Sequence, residues 1–331
     1  MAANCAANGR LFSRLGAPVA ARLSLGIVRP TSVPAGGIGC ALPHTDMTFA
    51  LASSASTLVD QEFAFKAQDF ERVRKLIYQR AGINLNPGKQ AMVYTRLSRR
   101  LRETGHRDFG SYLQWLEQLP AQRAAAHHEW QAFINCLTTN LTAFFREEHH
   151  FNALADDLRA RAGRPLRIWC NAASTGEEPY SIAITVAEAL GADALVTQLA
   201  TDIDTHVLES ARRGVFDAAA RGLSPVRMKR WFLRGTGANA GSIRVKPKLA
   251  RDIEFRAFNL MAPQWSLGDA FDMVFCRNVM IYFDAPTQRR VLERIHGTMR
   301  AGGLLYVGHS ENFSESRDLF RLRGKTIYER L

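Results

Sequence analysis

Two cysteines spaced as C-x-x-C are absent from this 331-residue chain. Its five cysteines, Cys5, Cys40, Cys136, Cys170 and Cys276, lie far apart, which argues against a zinc ribbon or disulfide framework and for a reducing compartment. Cys170 and Cys276 sit inside apolar runs, where cysteine behaves as a small hydrophobe. No run of about 18 uncharged apolar residues occurs, so no membrane-spanning helix is expected. Adjacent residues on a helix point about 100° apart, so the doublets His127-His128 and His149-His150 are not expected to hold a metal. Acidic residues are scarce: 31 Asp and Glu against 43 Lys and Arg leave a net charge of +12. That excess favours an acidic partner, whether nucleic acid, an anionic surface or an acidic protein, and is silent on fold.

The scarcity is greatest at the start. Up to His44 there are four arginines and no acidic residue, among many Ala, Gly, Pro and Ser. Such a composition resembles a transit peptide or a disordered arm, and more simply an extension with no folded role, with Met47 as an alternative start. Residues 1–58 are therefore expected to be a disordered or non-native extension.

The rest of the chain is patterned. From Asp69 to Thr138 the apolar period is helical. Asp69 is placed to cap a helix carrying Phe70, Val73 and Ile77 and ending near Gly82. "NPGKQ" (86–90) opens a second helix running to about Glu103, Asp108 caps a third, and a fourth carries Trp130, Phe133, Ile134 and Leu137. Past residue 163 the pattern changes to strand-like runs separated by helices: "LRIWC" (166–170), "TQLATD" (197–202), "IEFRAF" (253–258), "FDMVFC" (271–276) and "LLYVGH" (304–309). That alternation predicts an α/β fold, a mainly parallel sheet with helices on both faces. Residues 213–252 are too long for a simple crossover and hold the turn-rich "FLRGTGANAGSIRV", which predicts a small antiparallel insertion. The expected organisation is a helical domain over 59–138, a linker and joining helix over 139–162, and an α/β domain over 163–331.

In open parallel sheets ligands bind beyond the carboxyl ends of the strands. The first run leads into "NAASTGEEPYSIA", a strand–turn–helix junction of the kind that receives phosphate. This turn lacks lysine and carries Glu177 and Glu178, which disfavours a triphosphate and suits a cationic nucleoside without phosphate, such as S-adenosylmethionine. The competing reading places both acids favourably in a first helical turn, worth roughly 0.3–1 kcal/mol each. The second run ends at Asp202-Ile203-Asp204, where one carboxylate suits ribose hydroxyls and the other a helix cap. The fourth ends at Arg277-Asn278, followed by Tyr282. In the linker, Asn140 or Thr142 is placed to cap a helix, with Phe144 and Phe145 docking on the core. On a wheel of "MVYTRLSRRLR", Val93, Tyr94, Leu97 and Leu101 share an arc of about 100°, and Arg96, Arg99, Arg100 and Arg102 are assigned to the other side, facing an acidic partner. DNA lacks support from any helix-turn-helix or zinc pattern.

"LTTNLTAFFRE", "NAASTGEEPYSIAI", "ATDIDTHVLE", "FCRNVMIYFD" and "GHSENF", in that order, resemble the chemotaxis receptor glutamate methyltransferases, the CheR family, over roughly residues 65–331. The resemblance implies a Rossmann-like S-adenosylmethionine-dependent methyltransferase domain behind an all-α domain, with the insertion as a β-subdomain. It implies methylation of glutamates on the cytoplasmic helices of chemoreceptors, in the cytoplasm at receptor arrays, by a monomer that does not bind nucleic acid. Motif by motif it implies cofactor contacts from Asn140, Thr142, Arg146, Glu178, Asp202, Asn259, Leu260, Arg277 and Asn278. Arg146 and Tyr282 would lie nearest the transferred methyl, and Arg96, Arg99, Arg100 and Arg102 would face the receptor. "RGTGANAG" resembles members whose β-subdomain docks a receptor tail. Against the wider methyltransferase superfamily, the usual G-x-G-x-G turn is reduced to "AASTGEE". A nucleic-acid methyltransferase on the same fold is the rival, although "RNVMIYF" stands where amino-methylating members carry Asn/Asp-Pro-Pro-aromatic.

Overall fold

The computed structural model describes residues 62–120, 124–311, 313 and 316–331, and the backbone of Phe12–Ser13. The expectation for residues 1–58 lies outside the described residues, apart from the two-residue strand β1 (Phe12–Ser13).

Four helices pack around one apolar core: α1 (Ala67–Ala81), α2 (Gln90–Thr104), α3 (Phe109–Gln118) and α4 (Ala124–Leu137). Phe70, Val73, Ile77, Val93, Leu97, Leu101, Tyr112, Leu116 and Phe133 are buried together there. Asp69 does not cap α1, as the sequence suggested. The helix begins earlier, with Lys66 as its N-cap, and the Asp69 carboxylate turns back to accept the Lys66 N–H at 2.9 Å. An acid at the third helical position can satisfy the N-cap amide from inside the first turn, which a search for an acid before the helix misreads. Gly82 closes α1 in the left-handed conformation at φ 72°. Asn86 caps a 3-10 turn, Pro87–Lys89, that leads into α2, and Asp108 caps α3 through the Ser111 N–H.

Residues 138–148 cross over without helix or strand, and α5 (His149–Ala160) comes next. Neither Asn140 nor Thr142 caps a helix, because α5 starts later, after Glu148. Phe144 and Phe145 are both buried. Phe145 and Glu147 are held at φ 52° and 59°, a left-handed backbone that non-glycine residues adopt only where the surroundings impose it. Part of that constraint is Gly222, where a Cβ would lie 1.8 Å from the Phe144 carbonyl oxygen.

The α/β part continues through β2 (Leu166–Cys170), α6 (Glu177–Leu190), β3 (Val196–Asp202) and α7 (Thr205–Arg213). The 213–252 insertion is β4 (Val215–Asp217), α8 (Pro225–Trp231), β5 (Phe232–Gly235), β6 (Ser242–Val245) and α9 (Pro247–Ala250), with an antiparallel sheet in the order β1-β5-β6-β4. Then come β7 (Ile253–Ala257), β8 (Phe271–Cys276), α10 (Ala285–Thr298), β9 (Met299–Val307), β10 (Phe320–Gly324) and β11 (Ile327–Arg330). The large sheet runs β10-β11-β9-β8-β2-β3-β7. Its five strands from β7 to β9 are parallel, and β11 is antiparallel to both neighbours. Successive residues of β2 face opposite layers: Ile168 and Cys170 pack in one apolar cluster, Trp169 in the other. Chain order reverses direction between β2 and β8, so the crevice at their carboxyl ends is the switch point where such sheets bind ligands.

Candidate active site

A cavity of about 400 Å³ opens at that switch point. Its floor is the carboxyl ends of β2, β3 and β8, and its far wall is Ile83, Asn84, Leu85, Asn86, Lys89 and Met92, from the segment after α1 and the first turn of α2. Asn140, Thr142, Arg146, Glu178, Asp202, Asn259, Leu260, Arg277, Asn278 and Tyr282 all line it. Residues scattered from the linker to the turn after β8 are thus brought to one place.

Asp202 ends β3 and is 8 % exposed. One oxygen accepts the Ser174 N–H at 2.8 Å and the other the Asp204 N–H at 2.9 Å. Burial pushes its carboxyl up to about 6, against the pull of those amide bonds. Asp204 is the cap of the pair: it accepts from the His206 and Val207 amides and also from Thr138 Oγ1 and Asn140 Nδ2. The linker asparagine is therefore fastened to the second strand end. Ser174 sits at φ 48°, and its hydroxyl donates to the Asn140 carbonyl at 3.0 Å.

Glu178 corrects the charge argument made from sequence. Its carboxylate is not open to a ligand cation as a bare charge, because the buried guanidinium of Arg277 pairs with it. The Cys170 thiol donates to its second oxygen at 3.2 Å. Arg277, just past the end of β8, also donates to the Arg146 carbonyl and lies 3.5 Å from Glu147. Burial works to raise the Glu147 carboxyl, but the hydrogen bond to His309 and the Arg277 charge outweigh it and hold it down at about 2. His150, fully buried, is pushed down to about 3 by burial and by Arg277. Glu147, His149 and His150 place possible ligand atoms within 4.8 Å of one another, a grouping the histidine doublet alone did not reveal. The Arg277 guanidinium already supplies the positive charge at that carboxylate.

Arg146 is half-buried and donates to the Leu141 carbonyl at 2.9 Å. Tyr282 lies in a 3-10 turn, Met280–Tyr282, and its carbonyl accepts the Asn84 N–H at 2.8 Å, tying the two halves of the cavity together. The Asn259 amide bridges likewise, donating to the Arg80 carbonyl at 2.7 Å and accepting the Met261 N–H.

Sequence reasoning gives no residue of "GHSENF" a role. Glu311 has one. Its buried carboxylate accepts the N–H groups of Gly308, Asn278, Val279 and Met280 at 2.7–3.0 Å. The last three are the backbone of the turn that presents Arg277, Asn278 and Tyr282, with Asn278 held at φ 58°, and Gly308 follows β9. The signal available was weak: one acid in a short polar segment 33 residues from Asn278.

The arginine helix divides. Arg100 is turned inward, with its guanidinium on the buried carboxylate of Glu129, which also accepts from the Tyr112 hydroxyl. Measured round the wheel it lies only about 20° from Val93, at the edge of the apolar arc rather than opposite it. Arg96 donates to the Thr138 carbonyl at 2.6 Å and so braces the linker. Arg99 and Arg102 are exposed, Arg99 within reach of Glu103 one turn on.

The arrangement fits S-adenosylmethionine by its donor set. A buried carboxylate ends the second strand, where ribose hydroxyls are taken, and Ile83, Phe258 and Leu260 offer apolar surface for a base. Comparison with known proteins agrees. The family described as "CheR methyltransferase, all-alpha domain" matches residues 68–138, and "CheR methyltransferase, SAM binding domain" matches residues 140–328. A chemotaxis protein methyltransferase of Klebsiella aerogenes is 53% identical over 280 residues, 84% of this chain and 94% of its own length. One from Salmonella typhimurium is 51% identical over 287 residues, 85% and 98% of the two chains. Among solved structures, an O-methyltransferase family protein from Burkholderia thailandensis covers 56% of this chain and 42% of its own at 17% identity and a TM-score of 0.31, too partial a likeness to bear on function. With both of its domains matched in order and about half of the aligned residues identical in these relatives, the chain belongs to the CheR family of methyltransferases.

Proposed function

We propose that this chain methylates glutamate side chains on the cytoplasmic helices of chemotaxis receptors, giving carboxyl methyl esters in sensory adaptation. The observation that carries this reading is the convergence of the ten positions matched to the family on one cavity at the switch point of the sheet. Bound S-adenosylmethionine supplies an electrophilic methyl group on a sulfonium. The residues do the rest by position. An acceptor glutamate is ionised at neutral pH, so no strong general base is required of the site. Arg146, at the cavity wall, orients the incoming carboxylate or the cofactor's own, and Tyr282 donates a hydrogen bond nearby. Ile83, Leu85 and Met92 give that wall an apolar lining, and an apolar lining favours a reaction that consumes two opposite charges. Alignment of this kind contributes on the order of 7–11 kcal/mol. Arg99 and Arg102 meet the acidic receptor surface, and the β4–β6 sheet offers a place for a receptor tail. The protein acts as a monomer in the cytoplasm, at receptor arrays, and takes no nucleic acid; among the described residues no helix is long and apolar enough to cross a membrane.

The test is transfer of labelled methyl to receptor-containing membranes, with DNA as the competing acceptor. Base-labile label on the receptor is expected, and base-stable label or label on DNA would replace this reading with its rival. Arg146→Ala and Tyr282→Phe are each expected to slow transfer at saturating cofactor by at least tenfold. Wild-type rates in both would remove them from the reaction.

A further inference from the structure

Two exposed aliphatic side chains stand at the mouth of the cavity. Leu141 is 80 % exposed and Ile281 is 48 % exposed, and both line it. Single exposed aliphatics are ordinary on a protein surface. Of the eight large apolar residues that stand exposed among the described residues, however, these two line this one cavity. Leu141 lies between Asn140 and Thr142 on the linker, and its carbonyl receives the Arg146 guanidinium. Ile281 precedes Tyr282 on the turn gathered by Glu311. Each is therefore carried by backbone that is fixed for another purpose, while its side chain is left in solvent.

We propose that Leu141 and Ile281 form an apolar clasp for the acceptor segment, gripping the side chains that flank the target glutamate. The inference rests on reading the cavity as the site of methyl transfer. For reaction, an acceptor oxygen must come within roughly 3–3.5 Å of the methyl carbon, so the acceptor backbone has to lie across the mouth. A helix lying there presents residues three and four positions from the glutamate on the same face. Two aliphatic anchors on the cavity lining meet those neighbours, and the cationic Lys89 and Arg146, which also line the cavity, suit the carboxylate. The partner that fits is an acidic amphipathic helix with small or apolar residues one turn to either side of the modified glutamate, the helix-in-groove mode of recognition.

The full chain is tested as Leu141→Ser, Ile281→Ser and the double variant, with Leu141→Met as a volume-conserving control. KM for receptor membranes, kcat, and the affinity for S-adenosylhomocysteine by calorimetry are the readouts. Each serine variant is expected to raise the receptor KM roughly tenfold, the double variant more, with S-adenosylhomocysteine affinity within about twofold of wild type and the Met variant near wild type. Unchanged receptor KM in the double variant overturns the clasp. So does a loss of S-adenosylhomocysteine affinity that parallels the rise in KM, which would place the two side chains against the cofactor. If the wild-type chain puts no base-labile methyl on receptor, the reading of the function falls and takes the clasp with it.

Discussion

At the scale of single residues, the site is a problem in holding charge away from water. Glu178, Arg277 and Glu147 form a buried run of alternating sign, so the guanidinium faces two carboxylates and each charge is compensated. Among the described residues Asp202 has no such cation and accepts from backbone N–H groups, so burial lifts it to about 6. Because its folded value lies above the ordinary 3.8, the stability it contributes is complete below that pH and is lost as pH rises through about 6. Cofactor binding runs the other way if ribose hydroxyls donate to this carboxylate, since only the ionised form accepts from both. Affinity for S-adenosylhomocysteine is expected to fall as pH drops through about 6, by up to about tenfold per unit. Asp202→Asn is expected to bind more weakly at about pH 7.5 and to lose most of that dependence. A calorimetric pH series on the two proteins checks it, and parallel profiles would assign the pH dependence to another group.

At the scale of elements, the turn after β8 shows why part of the site was legible and part was not. Arg277, Asn278 and Tyr282 could be read because they follow an apolar strand, at the place where α/β sheets bind ligands. Glu311 could not, because its partners are main-chain amides, and a main-chain amide leaves no mark in a sequence. The same holds for β10 and β11, which sequence reasoning passed over. Arg321, Arg323, Glu329 and Arg330 hide their alternation, and their tight turn places Lys325 and Thr326, not glycine, at φ 39° and 65°. The linker was half legible: its phenylalanines announced a docking contact, while its left-handed turns at Phe145 and Glu147 left no mark, and the space for the Phe144 carbonyl is kept by Gly222, far away in the chain. Exchanging the carboxylate of Glu311 for an amide sets an NH2 group against N–H donors and loosens the turn. Glu311→Gln is therefore expected to weaken S-adenosylhomocysteine binding at least tenfold at a temperature where the variant remains folded, as followed by calorimetry beside circular dichroism. Binding at wild-type strength in the folded variant would make Glu311 a purely structural residue.

At the scale of the whole molecule, the excess of basic residues has to be divided between folding and recognition, and α2 carries both. Arg100 is the folding part: removing it takes the cation away from the buried Glu129 side chain, at a cost of about 3–5 kcal/mol. Arg99 and Arg102 are exposed, and surface charges of this kind contribute little to stability. On the proposed function they serve encounter with an acidic partner, where charge sets the rate and salt screens it over about 10 Å at 0.1 M. Arg100→Ala is accordingly expected to lower the melting temperature of the helical domain by several degrees with little change in the salt dependence of methylation. The pair Arg99→Glu and Arg102→Glu is expected to leave melting nearly unchanged, to raise the receptor KM about tenfold at low salt, and to flatten its salt dependence, with the cofactor affinity untouched. Thermal melts and initial rates at several ionic strengths separate the two outcomes. If the glutamate pair kept the wild-type receptor KM and salt slope, the acidic receptor would have to be met elsewhere, with the basic residues of the β4–β6 sheet as the next surface to reverse.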